Sequence, residues 1–307
     1  MVKRVQHAAD TQTPPEAFLV QGVSISKPDR VLYPQSDLTD SDITKGAVAE
    51  YYSAISPRML PYLQDRLLAT FRCPDGIGVL CFFRKHATNA EEGTGILSVR
   101  EASGATGTYV YVKDVTGLLS EVQMYTLEFH IWGSHINTLE QPDLLVFDFD
   151  PDPGMELVQV RQGVKDLKTC LDDLALRSYL KTTGGKGYHL VVPLRPQASW
   201  ETLQSFAKKM AERMEARWPE RYTNSSRKNA RHGRIYIDWE RNVRGATAVC
   251  PYSLRARERA TVSLPIAWDE LDFIAPDGIT LQTALARLDD EDPWRNFFVI
   301  SQELPKS

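Results

Sequence analysis

Between residues 143 and 239 the chain switches repeatedly between two apolar patterns. DLLVFDFD (143–150) is a continuous apolar run that ends on carboxylates, as expected of a strand buried along most of its length. Leu157, Val160, Val164, Leu167, Leu171 and Leu174 follow at helical spacing. RSYLKTT and YHLVVPL then read as two strands joined by a GGKG turn. Leu203, Phe206, Met210, Met214 and Trp218 mark a second amphipathic helix, and RIYIDW is a further strand. The order β-α-β-β-α-β is that of a split βαβ sheet, whose first and last strands can lie side by side.

Upstream the pattern is weaker. Asp40, Ser41 and Asp42 offer helix caps, and the spacing predicts a helix through Ala54 that stops near Pro57. LLATFRC, GVLCFFRK and TYVYVKD are short β-rich runs, followed by a short helix over 117–124 and a strand around LEFHIW. The chain therefore divides into a polar tail or linker (1–14), an N-terminal α/β part (15–140), a palm-like part (141–265) and an acidic C-terminal segment (266–305). The opening MVKRVQHAADTQTPPEA lacks the apolar core of a signal peptide and reads as the edge of a domain taken from a longer protein.

The net charge of −4 over 307 residues argues against a nucleic-acid partner until its distribution is considered. Residues 221–260 carry ten Lys/Arg against three Asp/Glu, whereas 268–304 carry two against nine. Local potential governs phosphate binding, so the basic block keeps nucleic acid in view. No run of about 18 apolar residues occurs, which excludes a membrane-spanning helix. The expected location is the cytoplasm, at the nucleoid. Cysteines at 73, 81, 170 and 250 form no C-x-x-C pair and read as free, buried thiols.

Three constellations carry chemistry. Asp148 and Asp150 are two apart on a strand and so share a face. Two carboxylates at the end of an apolar strand repel each other unless a cation lies between them, and hard Mg²⁺ or Mn²⁺ suits oxygen donors. Asp238 ends another apolar strand and would face that pair. Three carboxylates can hold two metals about 3.5–4 Å apart for phosphoryl transfer. The turn from Thr182 to His189 is the second constellation: glycines let backbone N–H groups converge on an anion, with Lys186, Thr183 and His189 adding donors. It is not a Walker loop, because Gly187 follows Lys186. Arg255 and Arg257, in CPYSLRARER, form the third, suited to bidentate phosphate contact.

DFD, TTGGKGYH and YIDW occur in an order that resembles the archaeo-eukaryotic primase superfamily, and most of all the polymerase domain of bacterial DNA ligase D. DRVLYP, the helix with Lys45, CFFRKH, LEFH and CPYSLR extend the resemblance over about residues 20–300. It implies a primase-type α/β fold: an RRM-like split βαβ palm sheet packed with an N-terminal α/β subdomain. It implies a nucleotidyltransferase of non-homologous end joining that fills gaps and extends DNA 3′ ends from NTPs or dNTPs, with or without a template, using two Mn²⁺ or Mg²⁺ ions. Asp148, Asp150 and Asp238 would hold the metals, with His130 near the active centre. Thr183, Lys186, His189 and Arg255 would hold the incoming triphosphate. Phe82 and Phe83 would stack on template bases, and strand alternation lets only one of them bury on a given face. Arg30 and Lys45 would grip a downstream 5′-phosphate, and Arg231 would act in switching the metal site. Implied partners are 5′-phosphorylated DNA ends, linked ligase and nuclease domains and a bacterial Ku protein. The competing readings are a de novo primase, an inactive DNA-end binding module and an ATP-hydrolysing switch. The last is disfavoured by the missing Walker pattern.

Overall fold

The computed structural model describes residues 17–38 and 40–305, so the tail expected at 1–14 lies outside the described residues. Strands β1 (Leu19–Val20), β2 (Val23–Ser24), β3 (Val31–Tyr33) and β4 (Ile43–Thr44) form two short antiparallel pairs ahead of helix α1 (Lys45–Leu63). β5 (Arg66–Arg72), β6 (Phe82–Arg84), β7 (Thr94–Arg100), β8 (Thr106–Val112), α2 (Val115–Gln123) and β9 (Thr126–His135) follow. The second half contributes β10 (Leu144–Pro151), α3 (Leu157–Asp172), β11 (Tyr179–Thr182), β12 (Tyr188–Pro193) and α4 (Trp200–Arg217). β13 (Tyr222–Thr223), β14 (Ile235–Asp238), β15 (Thr247–Val249), β16 (Pro265–Ile266) and α5 (Leu281–Ala286) complete it.

These strands make two mixed α/β layers. The palm sheet runs β13-β14-β10-β12-β11-β16, and the other sheet runs β15-β9-β5-β8-β7 with β6 on β5. The first and last strands of the split βαβ unit, β10 and β14, are hydrogen-bonded neighbours as expected. After the palm is complete the chain returns to the other sheet, where β15 pairs with β9.

Strand alternation decides which way each palm residue points. Leu145, Phe147 and Phe149 of β10, with Leu190 of β12 and Ile237 of β14, pack on one face against Val160, Val164 and Leu167 of α3 and Leu203 and Met210 of α4. Burying each such side chain stabilises the fold by roughly 1.5–3 kcal/mol. The alternate residues Leu144 and Val146 join the core shared with α1, α2 and the other sheet. Asp148 and Asp150 continue that second series, at the point where the shared core opens into a cleft. Arg66 of β5 ties the sheets together through paired bonds to the two oxygens of Asp143, at 2.6 and 2.5 Å.

Two expectations need correction. α1 does not stop near Pro57: it starts at Lys45, capped by Thr44 (Ala47 N–H to Thr44 Oγ1, 3.3 Å), and runs through Pro57 and Pro61 to Leu63. Pro57 has no N–H for the Ser53 carbonyl, but the Ser56 hydroxyl donates to it at 2.8 Å. A fully buried series, Val48, Tyr52, Ile55, Met59 and Leu63, holds the helix on course. The four cysteines are not all free: Cys73 and Cys81 are disulfide-bonded, while Cys170 and Cys250 are buried thiols. Neither Phe82 nor Phe83 is buried; they are 43% and 59% exposed, because β6 is a three-residue strand lying on the rim of β5. β7 went unanticipated, since TGILSVR has too few apolar residues to announce a strand, yet it pairs with β8 along its whole length.

Candidate active site

Four side chains stand in one row across the palm. Asp238 is paired with Asp148, Asp148 with His189, and His189 with Lys181, on the successive strands β14, β10, β12 and β11. Directly paired residues project from the same face of a sheet, so the row is two acids, an imidazole and an ammonium. Asp150 stands on the same face two residues beyond Asp148. A cavity of about 220 Å³ is lined by Asp148, Asp150 and His189 and also by His130, Lys186, Arg241, Arg255 and Arg257.

Close backbone packing shapes the glycine turn. A Cβ on Gly187 would come 2.5 Å from the Phe149 carbonyl oxygen, so only glycine lets the turn lie against β10. Gly184 has φ +64°, and a Cβ there would come 2.7 Å from Arg255 Cγ. The Thr183 hydroxyl donates to the Gly187 carbonyl (2.7 Å) and accepts from Gly185 N–H (3.2 Å), fixing the turn from within. Lys186 projects from its exposed tip.

Glu128 anchors the opposite wall. It is buried and accepts bonds from Arg255 Nε (3.0 Å) and the Ala256 N–H (2.8 Å), and its second pairing is with His130 Nε2 at 2.8 Å. Arg255 also donates to the Thr183 carbonyl at 2.5 Å, so one carboxylate and one guanidinium join β9, the segment after β15 and the glycine turn. Burial opposes ionisation of Glu128, but His130 and Arg255 outweigh it and hold its carboxyl below the usual range.

Each acid of the row has a different electrostatic setting. Burial, with Asp148 and Asp238 alongside, pushes Asp150 up to about 6. Burial also raises Asp238, although Arg241 Nε lies 3.0 Å away. Burial opposes Asp148 too, yet His189 at 3.4 Å and Arg241 at 3.7 Å hold it below its ordinary value. Burial and then Lys181 bring His189 down to about 4, and burial brings Lys181 down to about 7. Lys181 has its ammonium on Ser263 Oγ at 2.6 Å.

This donor set fits a hard divalent ion: three carboxylates, oxygen only, crowded on one face. Among the described residues no three His, Cys, Asp or Glu side chains converge on a single point. Arg241 lies against Asp148 and Asp238, and Arg231 lies 3.6 Å from Asp150 with its guanidinium over the Tyr236 ring. Burial first, and then the neighbouring acids, raise the Asp150 and Asp238 carboxyls, and a cation between them would offset both.

The remaining sequence candidates lie toward the N-terminal side. Phe83 packs its ring on Phe71 (4.7 Å between centroids) and on His130 (5.2 Å), which joins the aromatic pair to the cavity. Arg30 is ion-paired with Asp75. Lys45 is fully buried, donating to Gln123 Oε1 (2.8 Å) and the Ser26 carbonyl (3.0 Å), with its ammonium 4.1 Å from the Tyr125 ring centroid. Burial, with Lys27 and Arg30 nearby, brings it down to about 8. The sequence reading missed Glu128, Lys181 and Arg241. Glu128 was discoverable two residues before His130 on one strand face, and Lys181 as a charge inside the strand read from RSYLKTT. Arg241 carried no signal, because only the fold turns it back toward the acids.

Residues 44–294 match the family model described as LigD, primase-polymerase domain. The multifunctional non-homologous end joining protein LigD of Pseudomonas aeruginosa is 35% identical over 281 residues, 90% of this chain and 33% of that protein. The bifunctional LigD of Bacillus subtilis is 28% identical over 91% of this chain and 44% of its own length. The chain thus spans about a third to under half of the curated relatives it matches. The polymerase domain of Mycobacterium tuberculosis Ligase D, solved in complex with DNA, superposes with a TM-score of 0.81 at 29% identity, over 89% of this chain and 97% of that one. That fold is of the archaeo-eukaryotic primase type expected from the motifs. No helix among the described residues is long and apolar enough to cross a membrane. The chain belongs to the LigD primase-polymerase domain family.

Proposed function

We propose that this chain adds nucleotides to the 3′ end of DNA at breaks, as a nucleotidyltransferase of end joining. The observation that carries the reading is the Asp238–Asp148–His189–Lys181 row with Asp150 beside it, whose Asp148, Asp150 and His189 line a cavity walled by Arg255, Arg257 and the glycine turn. Asp148, Asp150 and Asp238 are the ligands for two divalent ions, Mg²⁺ or Mn²⁺, which when bound supply charge neutralisation and activation of a 3′-hydroxyl. Lys186, His189 and Arg255 hold the triphosphate, with Thr183 setting the shape of the turn that carries them. His130 borders the reacting centre from β9. Arg231 and Arg241 offset the acid cluster's charge in this arrangement, which supports a switching part for Arg231.

Phe82 and Phe83 offer an exposed aromatic platform for template bases, worth roughly 1–3 kcal/mol per stacked base. Arg30 and Lys45 are assigned to a downstream 5′-phosphate, with Lys45 acting from beneath the surface. Ligase and nuclease domains and Ku remain proposals for a longer protein. The test is primer extension on gapped, 5′-phosphorylated DNA with NTP or dNTP and Mg²⁺ or Mn²⁺. Extension on that substrate supports the reading. Synthesis only without a primer would favour a de novo primase, and DNA binding with no synthesis would favour an inactive end-binding module.

A further inference from the structure

The β5–β6 hairpin pairs Phe71 with Phe83 and Arg72 with Phe82, and the next pair outward is the bonded Cys73 and Cys81. The seven-residue loop they close, with the two cysteines, reaches Arg30 directly, Lys45 through Tyr125 and the aromatic pair through the chain. Asp75 in the loop is ion-paired with Arg30. The Cys73 N–H donates to the Tyr125 carbonyl (3.0 Å), and the Tyr125 ring lies beneath the Lys45 ammonium. The Ile77 N–H donates to the Leu32 carbonyl (2.8 Å), docking the loop on β3. Cys81 leads directly into Phe82 and Phe83. Apart from the disulfide, β6 is held by three residue pairs to β5, by Phe83 against Phe71 and His130 and by Arg84 on Glu121, while its two aromatic rings stay largely exposed, so little burial secures it.

We propose that Cys73–Cys81 is a thiol–disulfide exchange site whose closed form holds the aromatic platform and Arg30 in place for DNA ends. Bacterial DNA ends lie in a compartment buffered toward thiols, where disulfides that do form are mostly redox-sensing. Cys73 is fully buried and Cys81 partly exposed, so an incoming thiolate reaches the Cys81 sulfur. Attack there forms a mixed disulfide and expels Cys73 as a thiolate, which takes up a proton. The second thiol of a dithiol reductant then releases Cys81 and leaves the reductant as a disulfide. Two electrons and two protons thus pass to the cysteine pair. Closure is the reverse, with the disulfide of an exchange protein or glutathione disulfide accepting both electrons. Opening frees the loop, so that the platform must be ordered when DNA binds.

The inference rests on the proposed DNA-end function only for what the loop does, so the experiment has two readouts. The full chain is prepared oxidised with glutathione disulfide and reduced with dithiothreitol, and free thiols are counted. Hydrogen exchange over residues 74–84 is followed without DNA, and a fluorescent gapped duplex with a 5′-phosphate is titrated by anisotropy. The expected result is two more thiols and faster loop exchange on reduction, with duplex binding weakened about tenfold. Cys81→Ser and Cys73→Ala should each bind like the reduced chain and ignore the reductant. Unchanged thiol count, or equal loop exchange in the two forms, overturns the exchange site. Changed exchange with equal duplex binding overturns its control of DNA ends. If neither form binds the duplex while the loop still responds, the DNA-end reading falls and the exchange site stands.

Discussion

In the palm, strand register places the reactive groups: Asp238, Asp148, His189 and Lys181 fall in one row because β14, β10, β12 and β11 are hydrogen-bonded neighbours. At the N-terminal side, Arg30 precedes β3 and Lys45 is the first residue of α1; the Lys45 N–H donates to the Arg30 carbonyl (2.8 Å) at the end of the two-stranded β3–β4 pair, and no strand register sets their side chains in a row. Their charged ends depend on individual side-chain contacts, Arg30 on Asp75 and the Tyr125 ring, Lys45 on Gln123, Ser26 and Tyr125. A ladder backed by a packed core tolerates loss of one side chain without moving the others. A surface assembled from individual contacts responds to each change separately. Substitutions in the palm should therefore remove chemistry while leaving structure intact, and substitutions at the N-terminal surface should retune affinity.

The largest effect is expected in the acid row. Asp148→Ala or Asp238→Ala should lower nucleotide addition by at least about a hundredfold while DNA binding persists. Extension at the wild-type rate by either variant would contradict the ligand assignment. Glu128→Gln comes next: Arg255 and His130 lose their anionic anchor, and kcat/KM for NTP should fall roughly tenfold to a hundredfold. A denaturant titration of the same variant should show a loss of roughly 3 kcal/mol, since a buried charge network is broken. His189→Ala should raise KM for NTP by about tenfold, read from extension against NTP concentration. If kinetics hold and only the melting temperature drops, His189 serves the fold alone.

At the other surface the effects should be smaller. Wild type is expected to bind gapped DNA more tightly with a 5′-phosphate than with a 5′-hydroxyl, by a few-fold to about tenfold. Arg30→Ala with Lys45→Ala should erase that difference and spare simple primer extension. Because Lys45 is buried, Asp75→Asn is the cleaner probe: losing the ion pair that holds Arg30 in place should lower the 5′-phosphate preference.

The smallest expected effect is a pH dependence in the palm. The Asp150 carboxyl, ordinarily near 3.8, is raised to about 6 by burial and by its acidic neighbours. A raised carboxyl means the folded state holds a proton that the unfolded chain releases, so its stabilising contribution is present at low pH and is lost as pH rises through about 6. Asp150→Asn should therefore melt higher than wild type at pH 8, and the gap should close toward pH 5. A constant gap across that range would show that the crowding of the three acids does not bear on stability.

What the chain determined by itself was periodic and local. Alternation along DLLVFDFD put Leu144, Val146, Asp148 and Asp150 on one face, and apolar spacing located α3 and α4, because both patterns arise within a few residues of backbone geometry. The glycine turn and the acid ending β14 were legible for the same reason. Tertiary structure alone decided what depends on distant segments meeting. It carried α1 past Pro57, since packing of Tyr52, Ile55 and Met59 outweighs a local stop signal. It buried Lys45 beneath Tyr125, returned β15 to the other sheet, swung Arg241 against Asp148 and brought Cys73 to Cys81 across a hairpin. Those meetings follow from how whole elements share one buried volume, a quantity no window of sequence contains.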